Sequence, residues 1–273
     1  MTTVTALIMA SNEGEMLPGC LAMLGWADEI VVLVDGRSTD RTADLAREAG
    51  ATVSVEPWRG FAGQRDRLAE LATGDWLLYV DADERITSAL STEVKRAVEV
   101  DQIGAYSIPT RNVFLGRAMK GGDWWPDRHY RLVRKSSLKG WSGAIHETPE
   151  IEGGLGSISA PIVHLGHRNL SSVLEKTVKW SPIEAKRRAE GPYGRVTVRS
   201  FLRAIGRVTY RRLVRGRAWR DGIEGWIEVL YQSFSSFLAA AEAWELQRSE
   251  PLTETYRRLD EHLQSGGSLD SFR

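Results

Sequence analysis

Two aspartates separated by a single alanine, Asp81 and Asp83, have the residue types and spacing of a chemical site. They come directly after an apolar run at residues 76–80, which predicts a buried strand. Mg²⁺ and Mn²⁺ prefer oxygen ligands and are usually held by one or two carboxylates together with substrate phosphates. One aspartate can therefore bind a divalent cation while the other contacts a ribose or a metal-bound water. An ordinary acidic turn is the alternative, and the position behind a buried strand favours the metal site.

Polar residues also follow the first two apolar runs of the chain, and they are Ser11, Asn12, Glu13 and Asp35. A carboxylate such as Asp35 can accept hydrogen bonds from ribose hydroxyls or from a nucleobase N–H. Arg65 lies near the start of a predicted helix and can meet a diphosphate. A turn aspartate before Gly36 and a solvated helix face are the respective alternatives.

The elements that must position these residues alternate in type along the first half of the chain. Apolar runs predict strands at residues 4–9, 29–34, 52–55, 76–80 and 105–108, and helical spacing predicts helices at residues 15–24, 40–49, 63–71 and 88–98. Strands that are apolar on both faces predict a parallel sheet covered by helices on both sides. Because ligands bind beyond the carboxyl ends of such strands, we expect an α/β fold in which polar groups from three strands meet at one edge.

The composition is that of a globular protein whose overall charge indicates no partner. The chain has 273 residues, 42% of them hydrophobic, and a formal net charge of zero, which suits one large α/β domain with a helical appendage. The single cysteine, Cys20, excludes an internal disulfide and a cysteine-based zinc site, and we expect it to be a small buried hydrophobe. We also expect a cytoplasmic protein without a signal peptide or a membrane-spanning helix, because no basic residue precedes the first apolar stretch and no apolar run reaches about 18 residues.

Motifs at residues 11–13, 26–32, 35–42, 72–76 and 81–84 lie in the first half of the chain. They resemble those of family 2 glycosyltransferases, and the resemblance implies a GT-A fold, which is a Rossmann-like mixed, mostly parallel sheet with helices on both faces. Further motifs are similar to the lipopolysaccharide-core β-glucosyltransferase branch of that family, at residues 111–112, 121–124, 127, 131–134, 146–147 and 221–225. The resemblance covers roughly residues 4–245.

The resemblance implies an enzyme that transfers a sugar, with inversion, from a nucleotide-diphosphate donor to a cell-envelope glycolipid such as the lipopolysaccharide core. It implies that Asp83 binds Mg²⁺ or Mn²⁺, and that Glu13, Asp35 and Asp81 lie near the nucleotide. The candidate residues for the nucleotide sugar are then Ser11, Asn12, Glu13, Asp35, Arg65 and Asp81.

Two other functions remain open. A sugar nucleotidyltransferase shares the layered α/β pattern, but such enzymes usually have a Gly-rich loop with Arg or Lys after the first strand, and residues 11–14 do not supply one. The second alternative is a non-catalytic protein that binds nucleotide sugars or lipids, and the intact carboxylates argue against it.

An inverting transfer needs one general base to take the proton from the acceptor hydroxyl. Relatives carry a Glu-Asp pair where this chain has His146 and Glu147, so the resemblance implies that Glu147 is the catalytic base. Asp123 and Asp127 are rival carboxylates, and a salt-bridged loop is the alternative for the pair. His164 is a candidate third metal ligand or a core histidine.

A basic segment at residues 186–220 carries twelve Lys or Arg residues and a single acidic residue. In a helix, Arg199, Arg203, Arg207 and Arg211 fall on one side and apolar residues gather on the other. Such an amphipathic helix can lie on an anionic membrane and bring the active site to a lipid-linked acceptor. A helix with a solvated arginine face is the alternative. No aromatic–basic recognition motif accompanies the segment, so we do not expect a nucleic-acid partner.

The predicted organisation is a GT-A catalytic domain at residues 1–168, followed by a helical, basic amphipathic region at residues 169–273. Residues 1 to about 100 form the expected nucleotide-sugar half of the first domain, and about 101–168 the expected acceptor half. We expect a peripheral protein at the inner face of the cytoplasmic membrane.

Overall fold

The computed structural model describes residues 2–143, 147–191 and 194–272. The chain divides into two compact units, Met1–His167 and Arg168–Arg273. In the described residues every strand lies in the first unit, whereas the second unit consists of helices and their connections.

The first unit is built on a ten-stranded sheet, and it also contains a separate two-stranded sheet. The strands are β1 (Val4–Ala10), β2 (Glu29–Asp35), β3 (Thr52–Glu56), β4 (Trp76–Asp81), β5 (Glu84–Ile86), β6 (Ile103–Phe114), β7 (Arg117–Ala118), β8 (Asp127–Arg134), β9 (Leu138–Ser142), β10 (Thr148–Ile151), β11 (Gly154–Ser157) and β12 (Ile162–His167). The large sheet has the order β3-β2-β1-β4-β8-β6-β12-β5, and β7 and β11 each pair with β6. Strands β9 and β10 form the small antiparallel sheet.

Strands β3, β2, β1 and β4 run parallel, and β8 lies antiparallel between β4 and β6. Strand β12 is parallel to β6 and antiparallel to β5. The predicted α/β fold with a mixed, mostly parallel sheet is therefore confirmed. Ala10 lies opposite Val34, and Met9 lies opposite Asp81, so β1, β2 and β4 end at the same edge.

Apolar layers cover both faces of the sheet, as expected for strands with continuous apolar runs. The helices of the first unit are α1 (Leu17–Leu21), α2 (Thr42–Glu48), α3 (Gly60–Leu71) and α4 (Ser88–Ala97). Ile8 of β1 belongs to the layer that α1, α2 and α4 cover, and its neighbour Leu7 belongs to the layer with α3. Cys20 is 1% exposed, and burial raises the pKa of its thiol to about 12. It is the buried hydrophobe that the sequence predicts.

The helices of the second unit are α5 (Leu170–Glu190), α6 (Val198–Thr209), α7 (Gly222–Leu246) and α8 (Leu252–Gln264), with a π-helical turn at Tyr210–Arg215. Both α5 and α6 pack against α7. The hydroxyl oxygens of Thr177 and Tyr231 lie 2.7 Å apart, and the ring centroids of Phe201 and Phe237 lie 5.3 Å apart. Within the described residues, none of the helices combines the length and the apolar character that crossing a membrane requires.

Candidate active site

Arg131 joins Asp81 and Glu84 into one ion-pair cluster at the carboxyl end of β4. Its Nη2 donates to Oδ2 of Asp81 at 3.0 Å and to Oε1 of Glu84 at 2.9 Å. Oε2 of Glu84 accepts the backbone N–H of Asp81 at 2.8 Å. These contacts form because β8, which carries Arg131, is the sheet neighbour of β4. The carboxylate of Asp81 is thereby held at the edge where the parallel strands end.

The charges in this cluster depend on burial and on the arginines. Burial would raise the pKa of Asp81, but Arg131 and Arg65 outweigh it and hold that pKa well below its usual range. Burial raises the pKa of Glu84 to about 7, against the opposing charge of Arg131. Despite its own burial, Arg131 has a raised pKa because the two carboxylates favour its charged form. Asp81 is therefore ionised at neutral pH.

Asp83 faces His164, which the parallel pairing of β12 with β6 also brings beside Asn112. Nε2 of His164 lies 3.3 Å from Oδ2 of Asp83, and Nδ1 lies 2.7 Å from Oδ1 of Asn112. An amide oxygen only accepts, so Nδ1 carries a proton and Nε2 of the neutral ring presents its lone pair to Asp83. Burial lowers the pKa of His164, but the hydrogen bond and charge of Asp83 outweigh it and raise the pKa.

The space around this pair suits a small cation. A Cβ atom added at Gly166 would lie 2.3 Å from Nε2 of His164 and 3.2 Å from Oδ2 of Asp83, so glycine leaves the pair open there. A carboxylate oxygen suits Mg²⁺ and Mn²⁺, and an imidazole nitrogen favours the transition metal Mn²⁺. A group of three or more His, Cys, Asp or Glu residues placed to hold a metal is not found in the described part of the chain. Two protein donors are enough where substrate phosphates supply the rest.

Arg65, on α3, lies between Asp81 and Glu147. Its Nη2 is 3.7 Å from Oδ1 of Asp81, and its Nε is 4.0 Å from Oε2 of Glu147. The guanidinium lies over the rings of Trp141 and Tyr79, 4.9 Å and 5.6 Å from their centroids. Burial lowers the pKa of Arg65, and Asp81 opposes this effect. The structure therefore brings the carboxylates of Asp81 and Glu147 to the same guanidinium, that of Arg65. His146 lies outside the described residues.

Trp141 is fixed from two sides. Its backbone N–H donates to Oδ1 of Asp66 at 2.9 Å, and its Nε1 donates to the hydroxyl of Tyr79 at 3.1 Å. Burial raises the pKa of Asp66. Asp66 follows Arg65 on α3. The same helical turn therefore provides the guanidinium of Arg65 and holds the indole of Trp141 beside it.

Asp35 ends β2 and is 2% exposed. Arg37 covers it: its Nη2 donates to Oδ2 at 2.6 Å, and its backbone N–H donates to Oδ1 at 3.0 Å. The side chain of Arg37 is 72% exposed, and its guanidinium lies 5.9 Å from the ring centroid of Trp58. The buried carboxylate of Asp35 is covered by the long, exposed side chain of Arg37, and the ring of Trp58 lies nearby. This arrangement suits the binding of a nucleoside.

The loop after β1 is joined to the loop after β2. Oδ1 of Asn12 accepts the backbone N–H of Thr39 at 2.9 Å, and the N–H of Glu13 donates to Oγ1 of Thr42 at 2.8 Å. Asn12 has a φ of 55°, a left-handed conformation that asparagine tolerates. The side chain of Asn12 thus holds this loop together, and Ser11 is exposed at the same edge.

The rival carboxylates lie on the segment that leads into β8. Oδ1 of Asp127 is 3.0 Å from Nε2 of His129, and this hydrogen bond lowers the pKa of Asp127. Asp123 has a φ of 66° and makes contacts of its own within the chain. A hydrogen bond with Asn112 and the charge of Arg131 also lower the pKa of Asp127, so this rival carboxylate lies near the Asp81 cluster.

Sequence reasoning did not assign Arg131, Glu84 or Asn112 to the site. All three are buried or nearly so, with Arg131 and Glu84 side chains 11% and 1% exposed. A charged residue among strand-forming residues, such as Arg131, could indicate a buried ion pair from the sequence, because a buried charge needs a partner. That signal does not reveal which acid is the partner.

Solved structures match the chain at low similarity. Glucosyl-3-phosphoglycerate synthase from Mycobacterium tuberculosis, solved with Mn²⁺, uridine diphosphate and glucosyl-3-phosphoglycerate, matches with a TM-score of 0.35 and 22% identity, over 41% of this chain and 44% of that chain. TarS from S. aureus matches with a TM-score of 0.45 and 12% identity, over 89% of this chain and 55% of that chain.

Comparison of sequences returns closer relatives. The lipopolysaccharide core biosynthesis glycosyltransferase LpsC of Rhizobium meliloti is 29% identical over 251 residues, which cover 89% of this chain and 92% of LpsC. An uncharacterized glycosyltransferase of Rickettsia felis is 34% identical over 95 residues, about a third of each protein (35% and 34%). The family model described as Glycosyl transferase family 2 matches residues 5–146, more than half of the chain. The predicted resemblance is therefore confirmed: the chain belongs to glycosyl transferase family 2 and is a glycosyltransferase.

Proposed function

We propose that this enzyme transfers a sugar, with inversion, from a nucleotide-diphosphate donor to a cell-envelope glycolipid such as the lipopolysaccharide core. The observation that carries the proposal is the convergence of Asp81, Asp83 and His164 at the edge where β1, β2 and β4 end. The similarity to LpsC over most of both chains supports a glycolipid acceptor.

Asp83 and His164 are the residues that would hold Mg²⁺ or Mn²⁺, and the imidazole ligand favours Mn²⁺. A divalent cation supplies charge that stabilises the leaving nucleoside diphosphate as the glycosidic bond breaks. Asn112 orients the ring so that Nε2 faces Asp83, in the way that outer partners orient metal-binding histidines. Arg65 adds positive charge beside Asp81, where a diphosphate would lie.

The ends of β1 and β2 are the proposed binding site for the nucleoside part of the donor. Asp35 accepts hydrogen bonds from the nucleoside after Arg37 moves aside, and Arg37 is exposed enough to do so. Ser11, Asn12 and Glu13 line the same edge, with Asn12 acting through the loop that it stabilises.

Glu147 is the proposed general base. Its side chain is 11% exposed and lies beside Arg65, which also contacts Asp81. A base in this position takes the proton from the acceptor hydroxyl while that oxygen attacks the anomeric carbon. Arg65 then links the donor side and the acceptor side of one site.

An anionic membrane surface is the proposed partner of the second unit, at the inner face of the cytoplasmic membrane. The apolar face predicted for α6 is partly occupied, because Phe201 packs on Phe237 of α7. Helix α7 carries an exposed apolar stripe at helical spacing, which consists of Ile223, Trp226, Leu230, Phe234 and Trp244. Exposed Trp219 and the arginines at 215, 217 and 220 precede this stripe and suit an interface with anionic headgroups.

The reaction is tested by measuring what is released from a panel of nucleotide sugars with and without Mn²⁺. We expect Mn²⁺-dependent release of a nucleoside diphosphate, and we expect Asp83→Asn to abolish it while the circular dichroism spectrum stays unchanged. Release of pyrophosphate would instead identify a nucleotidyltransferase. Binding of a nucleotide sugar without any release, in the presence of a phosphorylated glycolipid acceptor, would identify a binding protein.

A further inference from the structure

We propose that the second unit contains a binding site for a phosphate ester, formed by Arg188 of α5 together with Arg203 and Arg207 of α6. The site is built entirely from residues of the second unit, and it does not take part in sugar transfer. It therefore goes beyond the proposed function and does not rest on it.

The three arginines line a cavity with a volume of about 170 Å³. Arg203 and Arg207 are one helical turn apart, so both extend from the same side of α6. Ala204 and Ala240 also line the cavity, and their short side chains leave it open between the helices. Ser200 adds a hydroxyl group to the wall.

None of the three arginines forms an ion pair with a residue that the structure describes. Within the described ranges, no acidic side chain lines the cavity. Nη1 of Arg188 donates to the backbone oxygen of Ser236 at 3.3 Å, so a neutral group positions this guanidinium. Like charges one turn apart on a helix repel each other, and a bound anion would relieve that repulsion.

The walls of the cavity are held in place by hydrogen bonds. Oε1 of Gln247 accepts the N–H of Val196 at 2.7 Å, and its Nε2 donates to the backbone oxygen of Gly194 at 3.1 Å. At the start of α6, Thr197 and Ser200 form a reciprocal capping box. The arginines of α6 therefore extend from a helix whose first turn and preceding segment are both fixed, which limits the entropy that ligand binding costs.

The chemistry of the lining selects a phosphate group. A guanidinium presents its donors in a planar fork that matches phosphate oxygens, and three of them around one cavity suit a group with two negative charges or a diester. The volume is below the roughly 300–1,000 Å³ typical of pockets that enclose a drug-sized molecule. The cavity thus fits a phosphate with its first attached atoms, either from a lipid headgroup or from a phosphorylated saccharide.

The test is calorimetric titration of the full chain with inorganic phosphate, glucose 6-phosphate, and dioctanoyl phosphatidic acid below its micelle concentration. We expect saturable binding, and we expect Arg203→Gln/Arg207→Gln to weaken it at least about tenfold, because charged hydrogen bonds are lost. The matched control is Lys186→Gln/Arg199→Gln, which removes the same charge from α5 and α6 outside the cavity and should bind as the wild type does. Ala204→Leu keeps every charge, fills the cavity and should also weaken binding.

The two sources of phosphate are distinguished by the probes. Preference for phosphatidic acid over glucose 6-phosphate supports a lipid headgroup, the reverse preference supports a saccharide phosphate, and equal binding supports recognition of the phosphate group alone. Equal losses in the two double variants would overturn the proposal, because they would show non-specific attraction to a basic surface. Absence of saturable binding of all three probes to the wild-type protein would overturn it as well.

Discussion

Nε2 of His164 lies 3.3 Å from Oδ2 of Asp83, although 81 residues separate them in the chain. The antiparallel pairing of β12 with β5 places His164 opposite Glu84, the residue that follows Asp83. A neutral imidazole in the orientation set by Asn112 would direct its lone pair at a carboxylate, which is unfavourable unless a proton or a cation lies between them. The contact therefore explains why this pair suits a cation.

Removal of the oxygen that orients His164 should weaken metal binding more than it weakens catalysis. We expect Asn112→Ala to raise the Mn²⁺ concentration for half-maximal activity by roughly 10- to 100-fold, the range found for outer partners of metal ligands. Saturating Mn²⁺ should restore most of kcat, because Asp83 and His164 remain. The measurement is the rate of nucleoside diphosphate release against Mn²⁺ concentration. An unchanged half-maximal concentration would show that Asn112 does not position the ring.

Loss of Arg131 should destabilise the first unit. In Arg131→Met, Asp81 and the fully buried Glu84 lose their shared cation, and removal of one partner of a buried ion pair typically costs about 3–5 kcal/mol. We expect a lower midpoint of urea unfolding. The additional change Glu84→Gln should recover part of the loss, since a neutral amide costs less to bury. Equal stability of Arg131→Met and wild type would contradict the ion-pair assignment.

The choice of base can be decided by two matched amide variants. Glu147→Gln should lower kcat by roughly 10²–10⁴-fold, the usual contribution of general base catalysis, and leave donor binding intact. Asp127→Asn should change kcat much less, because Asp127 pairs with His129 and lacks the contact with Arg65 that Glu147 makes. A large loss of kcat in Asp127→Asn together with an active Glu147→Gln would reassign the base to Asp127.

Part of the fold and of the site could be predicted because the relevant signals are local. Strands β1, β2 and β4 are largely buried on both faces, so each appears in the sequence as a mostly apolar run. The twelve-residue β6 was predicted only at residues 105–108, because buried polar residues such as Thr110 and Asn112 break its apolar pattern. The partners of Asp81 and Asp83, which are Arg131 and His164, come from later strands. Pairing between distant strands has no signature in a single sequence.

Acid should destabilise the protein partly through Glu29. Burial would raise the pKa of Glu29, but hydrogen bonds from Thr5 and from the backbone of Thr73 outweigh it and lower the pKa below its ordinary value of 4.5. The unfolded chain thus binds the proton more tightly, so this contribution is complete above pH 4.5 and is lost as the pH falls through the folded pKa. In urea unfolding, wild type should lose more stability than Glu29→Gln between pH 6 and pH 3.5. Parallel losses would show that Glu29 does not contribute.

The exposed stripe on α7 should govern attachment to anionic membranes. The triple variant Trp226→Gln/Leu230→Gln/Phe234→Gln removes three apolar side chains from the centre of the stripe. We expect partitioning onto vesicles of phosphatidylglycerol and phosphatidylcholine to fall at least about tenfold, because each buried apolar side chain is worth about 1.5–3 kcal/mol when fully transferred from water. Binding of the wild type should also weaken as salt rises, since headgroup attraction is screened.

A matched control separates this surface from general hydrophobic adsorption. Tyr256→Gln/Leu263→Gln/Leu269→Gln removes three exposed apolar side chains elsewhere in the second unit and should leave flotation unchanged. If both triple variants lose vesicle binding equally, α7 is not the contact surface. If neither variant loses it, the basic residues alone carry the attachment, and the proposed role of the stripe is wrong. Only a loss confined to the α7 variant is consistent with a helix whose apolar side faces the lipid and whose other sides pack on α5 and α6.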